Sequence, residues 1–262
     1  MRGLAGGDDS SAGLVVDASG NVFVIGTTTQ QDGNTDMVAL SLDSRGMQQW
    51  IETYGPTADM NYEGYSIAYR GGYVAVAGVR RHKSDFYRES AVVAILIGAN
   101  GDREWIRLYS RPDDYIGNGP VKIDVTVDKD VYLALPTANS SGWNDITTLR
   151  HDKDGWLKWV SHYSRGGVKD GRGNDTPVSI IAEAGFITVA GSSQIVQPKK
   201  VCCEDFIVLR YDELGKLQRK VKWGRTGDDV AYAMAINGAH AYVVGSSDAK
   251  RYSDMATVKF LK

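Results

Sequence analysis

Short apolar runs bounded by glycine recur along the chain. The first is Val22–Ile25, between Gly20 and Gly26, and Tyr73–Ala77 and Phe186–Ala190 have the same character. These runs are rich in β-branched and aromatic residues, which favours strands. Nowhere does an apolar period of 3.6 residues run between helix caps. The pattern therefore predicts an all-β chain.

Each run belongs to a longer unit that occurs five times. A unit is predicted to hold four strands, a to d, with strand b formed by the glycine-bounded run and strand c beginning at a polar residue. The residues that begin strand c are Asp36, Ser90, Asp145, Asp205 and Asp254, so successive units are 54, 55, 60 and 49 residues apart. Four-stranded units at about 40–50 residues are typical of β-propeller blades. The repeat predicts one five-bladed β-propeller domain over residues 1–262.

Aromatic residues follow the glycine of each c–d turn at two fixed distances. Four residues after it lie Trp50, Trp105, Trp159 and, in the fourth unit, Arg219. Eight residues after it lie Tyr54, Tyr109, Tyr163 and Trp223. A spacing of four along a strand keeps both side chains on one face. We expect these pairs to pack between neighbouring blades rather than to form a platform for a ligand.

The two ends of the chain predict how the ring closes. The last unit supplies strands a, b and c and stops at Lys262, whereas Met1–Ala5 precede strand a of the first unit. We expect Met1–Ala5 to be the outer strand that completes the last blade. Truncation of a larger propeller is the alternative.

The repeat resembles the prokaryotic beta-propeller repeat family (SBBP). Its motifs are carried by Asp9–Asp17, Gly20–Gly26, Asp36-Met37 and Gly46–Gly55, and they recur over essentially the whole chain. The resemblance implies an extracellular or cell-surface protein of unknown ligand, often built into a larger chain. The sequence departs from the family pattern at Ser90 and Arg219 and in having fewer than the usual seven blades.

Composition narrows the classes of function. Hydrophobic residues at 42% and charged residues at 24% are globular values. A net charge of -2 argues against nucleic acid as a partner. No apolar run approaches the roughly 20 residues of a membrane span, and the N-terminus has no signal-peptide core. We therefore expect either a cytoplasmic protein or a mature or trimmed form. The adjacent Cys202 and Cys203 could be thiols, a vicinal disulfide or a link to another chain, but they cannot staple distant parts of the fold.

Alignment of the repeats places one polar residue at the entrance to every strand a. These residues are Asp9, Asn61, Asn118, Asn174 and Asp228. In a propeller, strand a of each blade lines the central axis, so these residues would form a ring around it. Such an axial ring could coordinate a cation through oxygens or hydrogen-bond a polar ligand. Asp and Asn also cap turns by accepting a backbone N–H, and equivalent turns need equivalent caps. We expect caps, with an axial cation as the alternative and no resident cofactor.

The b–c and d–a connections share one end of each sheet and are predicted to be long and different in every unit. The b–c connections are predicted at Thr27–Thr35, Arg80–Glu89, Pro136–Asn144, Ser192–Glu204 and Ser246–Ser253. Candidate contact residues on this loop face are Arg80, Arg81, Phe86, Tyr87, Trp143, Lys199, Lys200, Arg251 and Tyr252. Aromatic residues and arginine are favoured at contact sites, and varied loops on a rigid scaffold carry binding residues.

Catalytic motifs find little support in the sequence. The four histidines fall at unrelated positions of the repeat, and the chain has no nucleophile elbow, phosphate loop or zinc-protease motif. Asp152–Gly155 resembles the start of a calcium loop but is interpreted as a c–d turn. The sequence thus favours a non-catalytic module that binds a protein or a glycan. The alternatives are a carbohydrate-binding or glycoside-cleaving propeller that uses Asp9 with Asp228, and a structural subunit of an extracellular assembly.

Overall fold

The computed structural model describes residues 7–84, 90–110, 115–117, 119–139, 141–165, 173–197, 200–249 and 252–261. The side chains of residues 195–197, 200–202 and 249 are also outside the description. Several predictions from the sequence therefore lie outside the described residues. They concern the strand at Met1–Ala5, the backbone and side chains of Asn118, Phe86, Tyr87, Lys199 and Arg251, and the side chain of Lys200.

The described residues form twenty strands in five antiparallel sheets. The first sheet contains β1 (Asp9–Val16), β2 (Val22–Thr29), β3 (Thr35–Leu42) and β4 (Gln48–Tyr54). The second contains β5 (Met60–Arg70), β6 (Tyr73–His82), β7 (Ser90–Gly98) and β8 (Arg103–Tyr109). The third contains β9 (Tyr115–Ile116), β10 (Lys122–Val125), β11 (Val131–Ala138), β12 (Asn144–His151) and β13 (Leu157–Tyr163).

The fourth sheet contains β14 (Asp175–Glu183), β15 (Phe186–Gln197), β16 (Lys200–Asp212) and β17 (Leu217–Trp223). The fifth contains β18 (Asp229–Asn237), β19 (His240–Ala249) and β20 (Tyr252–Leu261). Apart from the short β9, which pairs with β11, strands that are neighbours in the sequence are neighbours in the sheet. The predicted all-β class is confirmed, as are the a–b–c–d order of the first four units and the a–b–c order of the fifth.

The chain divides into two compact units. The first comprises residues 1–116, 123–131 and 151–156, and the second comprises 117–122, 132–150 and 157–262. In the first unit, side chains such as Phe23, Ile25, Val76 and Ile95 form one core between the first two sheets. In the second unit, one core lies between the third and fourth sheets and another between the fourth and fifth.

Burial along a strand follows the number of covered faces. Every residue of β7 is buried, and its sequence, Ser-Ala-Val-Val-Ala-Ile-Leu-Ile-Gly, is apolar at both parities. A strand covered on both faces gives such a continuous apolar run, whereas one open face gives alternation. β3 alternates between buried and half-buried positions. Leu14 and Val16, on β1 of the same sheet, are 63% and 54% exposed.

The glycine that ends the b run in four of the sheets is required by a bulge in the strand beside it. The first strand shifts register between Ser11 and Gly13 in the first sheet, and the second, fourth and fifth sheets have the same bulge. The residues opposite are Gly26, Gly78, Gly191 and Gly245. At each of these glycines a Cβ atom would overlap a carbonyl oxygen of the bulged strand. The repeated glycine is therefore a steric requirement of the sheet.

The strand register corrects the sequence alignment at the first polar position. In the first sheet, the backbone carbonyl of Asp8 accepts a hydrogen bond from the Thr29 N–H. In the fourth sheet, the carbonyl of Asn174 accepts the equivalent bond from the Gln194 N–H. Asp8, rather than Asp9, is therefore the structural equivalent of Asn174. The offset arises because Gly26 lies 15 residues after its partner Ser11, whereas Gly191 lies 14 residues after its partner Pro177.

A second correction concerns the start of strand c in the second sheet. Asp36 pairs with Thr28, two residues beyond Gly26, and Asp205 pairs with Ser193 in the same way. The matching residue of the second sheet is Ala91, which pairs with Arg80. Ser90, which the sequence alignment placed there, instead accepts the Ile116 N–H through its hydroxyl at 2.8 Å.

The bulge predicts that Gly26→Ala is costly. The new Cβ would overlap the Ser10 carbonyl oxygen, and overpacking of this kind costs about 1–3 kcal/mol. Gly13→Ala is the matched control in the same sheet, because its Cβ would lie 3.3 Å from Ile67 Cγ2 and neither glycine has a positive φ. Denaturant unfolding followed by circular dichroism should give a clearly lower midpoint for Gly26→Ala than for Gly13→Ala. Equal midpoints would contradict the steric explanation.

Candidate functional site

The polar residues at the strand-a entrances hydrogen-bond to the preceding sheet. The Asn61 Oδ1 accepts the Thr35 N–H at 3.4 Å, which ties β5 to the start of β3. The Asn174 Oδ1 accepts the Asn144 N–H at 3.0 Å, at the start of β12. The Asp228 Oδ1 accepts the Glu204 N–H at 3.1 Å, within β16. Each residue thus connects its own sheet to the third strand of the sheet before it.

This bonding differs from the cap that the sequence predicted. The expected partner was an N–H of the residue's own d–a turn, but the observed partner belongs to another sheet, about 24–30 residues away along the chain. Asp9 opens β1 and is exposed. The proposed use of these positions as a ligand ring stays a prediction. The structure shows that an oxygen of Asn61, Asn174 and Asp228 is already engaged within the protein.

A row of acidic and hydroxyl side chains crosses three of the sheets next to these positions. In the fourth sheet the paired residues are Asp175, Ser193 and Asp205. The matching rows are Asp229, Ser247 and Asp254 in the fifth sheet, and Asp9, Thr28 and Asp36 in the first. Residues directly opposite on antiparallel strands project on the same face. The sequence analysis did not predict these rows, although a Ser or Thr lies two residues beyond the b-run glycine in each of these three sheets.

Arg165 ties the row of the fourth sheet together. Its backbone N–H donates to Asp175 Oδ2 at 2.8 Å. Its guanidinium Nη1 donates to Asp205 Oδ2 at 2.7 Å and to the Ser193 carbonyl at 3.0 Å. Asp175 is 0% exposed and Asp205 is 8% exposed. One arginine therefore contacts β14, β15 and β16 at the same end of the sheet.

Burial and neighbouring charges shift several pKa values in this cluster. The pKa of Asp175 is raised to about 6, chiefly by burial and also by the charge of Asp145, although the hydrogen bond from the Arg165 N–H and the charge of Lys222 act in the opposite direction. Burial lowers the pKa of Lys222 to about 8, assisted by the positive charges of Arg165 and Lys220. Burial also raises the pKa of Glu204, with a further contribution from Asp228.

The carboxylates also explain the glycine that follows strand d. A Cβ on Gly55 would overlap the Asp36 carboxylate, and a Cβ on Gly224 would overlap the Asp205 carboxylate. In these two sheets the carboxylate at the start of strand c therefore occupies the space that a side chain just after strand d would need.

The tryptophans of strand d bind the c–d turn of the next sheet. The indole N–H of Trp50 donates to the Ala99 carbonyl at 2.9 Å, that of Trp105 to Lys153 at 3.1 Å and that of Trp159 to Glu213 at 2.9 Å. Each ring lies against the turn glycine: a Cβ on Gly101, Gly155 or Gly215 would approach the indole to 2.8, 2.9 or 2.5 Å. The prediction that these residues pack between sheets is confirmed.

The b–c connections are shorter than predicted because their strands run on as hairpins. In the fourth sheet, β15 extends to Gln197 and β16 begins at Lys200, so most of the predicted connection Ser192–Glu204 is paired strand. In the fifth sheet, most of Ser246–Ser253 is likewise paired. Cys203 is the residue left out of register in the longer hairpin and has a φ of 49°. The prediction of long irregular loops is wrong for these two sheets.

The described contact candidates differ in how accessible they are. Tyr252 is 78% exposed at the start of β20. Arg81 is held by Glu63, with Nη1 to Oε2 at 3.0 Å, and the Tyr65 hydroxyl donates to the same oxygen at 2.7 Å. Trp143 is half-buried, and its backbone N–H donates to Asn139 Oδ1 at 3.2 Å. Arg80, at the end of β6, is half-buried. Tyr252 is the most accessible candidate.

The calcium-like segment is a turn, as predicted. Asp152 Oδ1 accepts the N–H groups of Asp154 and Trp156, and Gly155 has a φ of 79°. Within the described part of the chain, no group of three or more His, Cys, Asp or Glu side chains is placed to hold a metal ion. No helix among the described residues is long and apolar enough to cross a bilayer.

Comparison with known proteins identifies the fold. The sequence matches no family model and no curated protein, so membership of the SBBP family stays a prediction. Among solved structures, the extracellular region of plexin A4 has a TM-score of 0.59 at 11% identity, over 96% of this chain and 34% of its own. The polysaccharide lyase Uly1 has a TM-score of 0.56 at 12% identity, over 94% of this chain. The β-propeller domain of the Trilobed protease from Pyrococcus furiosus has a TM-score of 0.53 at 9% identity, over 96% of this chain and 68% of its own.

The fold is therefore that of a β-propeller module, and the five sheets agree with the predicted number of blades. The chain spans 57% of the length of the lyase, and about a third of that of the plexin region. Identities this low establish the fold alone.

The hydrogen bond between sheets predicts a structural role for Asn174. Asn174→Ala leaves the part-buried Asn144 N–H without its acceptor, which costs about 1–3 kcal/mol. Asn174→Asp is the matched control, because it retains an oxygen acceptor. Thermal unfolding should show a lower Tm for the alanine variant and a smaller change for the aspartate variant. If the alanine variant is as stable as the parent, the residue does not hold the two sheets together.

Proposed function

We propose that the chain is a non-catalytic binding or scaffold module that contacts a protein or a glycan at the end of its sheets where the b–c and d–a connections lie. The supporting observation is that the polar groups best placed for chemistry are bonded within the fold. Arg165 is held by Asp205 and the Ser193 carbonyl, and Asn174 by the Asn144 N–H. Their positions serve the scaffold.

The described carboxylates fit a catalytic role poorly. Hydrolysis of a glycoside needs two carboxyl groups on either side of the scissile bond. Asp175 and Asp205 are 0% and 8% exposed, so a sugar could not reach them without displacing protein. Asp228 accepts a backbone N–H of the adjacent strand. The glycoside-cleaving alternative pairs the exposed Asp9 with Asp228, and one oxygen of Asp228 already accepts the Glu204 N–H.

The hairpin end of the sheets supplies the features of a contact surface. In the second compact unit, Tyr252 is exposed and Trp143 is half-buried on a turn ordered by Asn139; in the first, Arg81 is oriented by Glu63. Aromatic and arginine side chains that are pre-positioned lose little conformational freedom on binding. The opposite, c–d turn end exposes Trp156 and Leu214, at 67% and 83%. It is the competing surface.

A selection experiment can separate the two ends. A random-peptide display library and a glycan array would be the probes, with the parent chain as bait. We expect binders to lose at least about tenfold in affinity, or 1.4 kcal/mol, for a Tyr252→Ser, Trp143→Ser variant. They should keep their affinity for the control variant Trp156→Ser, Leu214→Ser, with folding of both checked by circular dichroism. If binders instead lose affinity for the Trp156→Ser, Leu214→Ser variant and keep it for the other, the contact surface lies at the c–d turns.

The enzymatic and assembly alternatives have their own readouts. Turnover of a glycan panel that disappears in the double variant Asp9→Asn, Asp228→Asn would favour a glycoside-cleaving propeller. A mass that rises with concentration in light scattering would favour a structural subunit. Neither result is expected of a monomeric binding module.

We also propose that residues 1–5 complete the fifth sheet and close a ring of five blades. The described part of that sheet has three strands. Met255 and Leu261 on β20 are 89% and 54% exposed, and Leu14 on β1 is 63% exposed. Apolar faces and unpaired strand edges of this kind are usually covered. The Trilobed protease propeller is described as having an open velcro topology, and an open arrangement is the alternative.

Replacement of residues 1–5 by a Gly-Ser segment of equal length tests closure. The flexible segment should fail to pair, so the amides of β20 should exchange faster with deuterium and the unfolding midpoint should fall. The amides of β7, which is buried throughout, serve as the internal reference. Unchanged exchange in β20 would favour the open arrangement.

A further inference from the structure

A buried cluster of charges lies between the third and fourth sheets, within the second compact unit, and the proposed binding function does not use it. Arg165 follows β13 and contacts three strands through Asp175, Ser193 and Asp205. The ion pair between Arg165 and Asp205 measures 2.7 Å, and the two side chains are 18% and 11% exposed. A pair this well covered is screened little by solvent.

Charged and titratable groups surround Asp175 on the neighbouring elements. They are Asp145 on β12, Tyr163 on β13, Arg165 on the connection, Asp205 on β16, and Lys220 and Lys222 on β17. Asp175 itself is wholly buried, and the carboxylate of Asp145 acts on it in addition. A buried carboxylate loses its hydration and is repelled by other carboxylates, so both effects favour its protonated form.

We propose that Asp175 makes this junction a proton-sensitive joint, in which a protonated carboxyl holds β14 firmly against β15 and an ionised carboxylate loosens it. The geometry supports this role. Asp175 is wholly buried at the first residue of β14, and it pairs with Ser193 on β15. Protonation neutralises the carboxyl group but leaves the ion pair between Arg165 and Asp205 in place.

The sign of the pH dependence follows from the direction of the shift. Burial raises the pKa of Asp175 from its ordinary 3.8 to about 6. The folded joint therefore binds a proton more tightly than the opened one, and its stability is greatest at low pH and declines as the pH rises from about 4 to about 6. The lowered pKa of Lys222, about 8, acts in a separate window at higher pH.

Hydrogen exchange of the β14 amides tests the joint, with rates corrected for the intrinsic pH dependence of exchange. The shift from 3.8 to about 6 corresponds to an increase on the order of 100-fold in the local opening equilibrium between pH 4 and pH 7. Asp175→Asn should remove this increase, because the amide does not titrate and its oxygen can still accept the Arg165 N–H. Lys222→Met should move the midpoint to higher pH, because Lys222 lowers the pKa of Asp175.

Glu204→Gln is the matched control. Burial and Asp228 raise the pKa of Glu204 on β16, so it is a second carboxyl of the same sheet whose pKa is raised. The response of β14 should survive in this variant. Loss of the response in Glu204→Gln, or its persistence in Asp175→Asn, would overturn the assignment. If Asp175→Asn fails to fold, the midpoint of Lys222→Met decides, and a midpoint that stays in place or falls counts against the joint.

Discussion

The structure depends on the hydrogen bond and ring contact by which one sheet holds the next. Apolar faces alone attract each other without direction. The indole of Trp159 adds a direction, because its N–H donates to the Glu213 carbonyl and its ring covers Gly215. The c–d turn that receives it is itself rigid, since Asp212 Oδ1 accepts the N–H groups of Leu214 and Lys216. Each sheet that carries both features offers a donor to one neighbour and an ordered acceptor to the other.

The opposite ends of the sheets are joined by a different bond with the same logic. Asn61, Asn174 and Asp228 each accept a backbone N–H from the third strand of the preceding sheet. The first and second sheets, and the third and fourth, are thereby joined at two separated places, which restricts both their spacing and their rotation. The most regular positions of the repeat therefore reflect contacts between sheets, and their regularity does not indicate a ligand. This is why a ring of equivalent polar residues is weak grounds for a catalytic centre.

Features set by local pattern could be predicted from the sequence. Glycine-bounded apolar runs located the b strands, and the spacing from Gly46 to Trp50 and Tyr54 located strand d and its packing face. Features set by pairing could not. The a–b hairpin of the first sheet is one residue longer than that of the fourth, so Asp9 was aligned where Asp8 belongs. The hairpin beyond Ser192 has a mixed composition, and only its pairing with β16 shows that it is strand.

The Arg165 cluster was not predictable for a further reason: its members are distant in sequence and do not repeat. Asp205 lies 40 residues from Arg165, and no periodicity relates them. Arg225 provides the comparison at the next junction. Its N–H also donates to the first acidic residue of the following strand, Asp229, but its guanidinium lies 5.8 Å from the centre of the Trp223 ring. The same backbone bond is therefore present at both junctions. The Arg165 side chain bridges two strands, whereas the Arg225 side chain lies beside an aromatic ring. Differences of this kind, on a backbone that the repeat keeps constant, give each junction between sheets its own electrostatic environment.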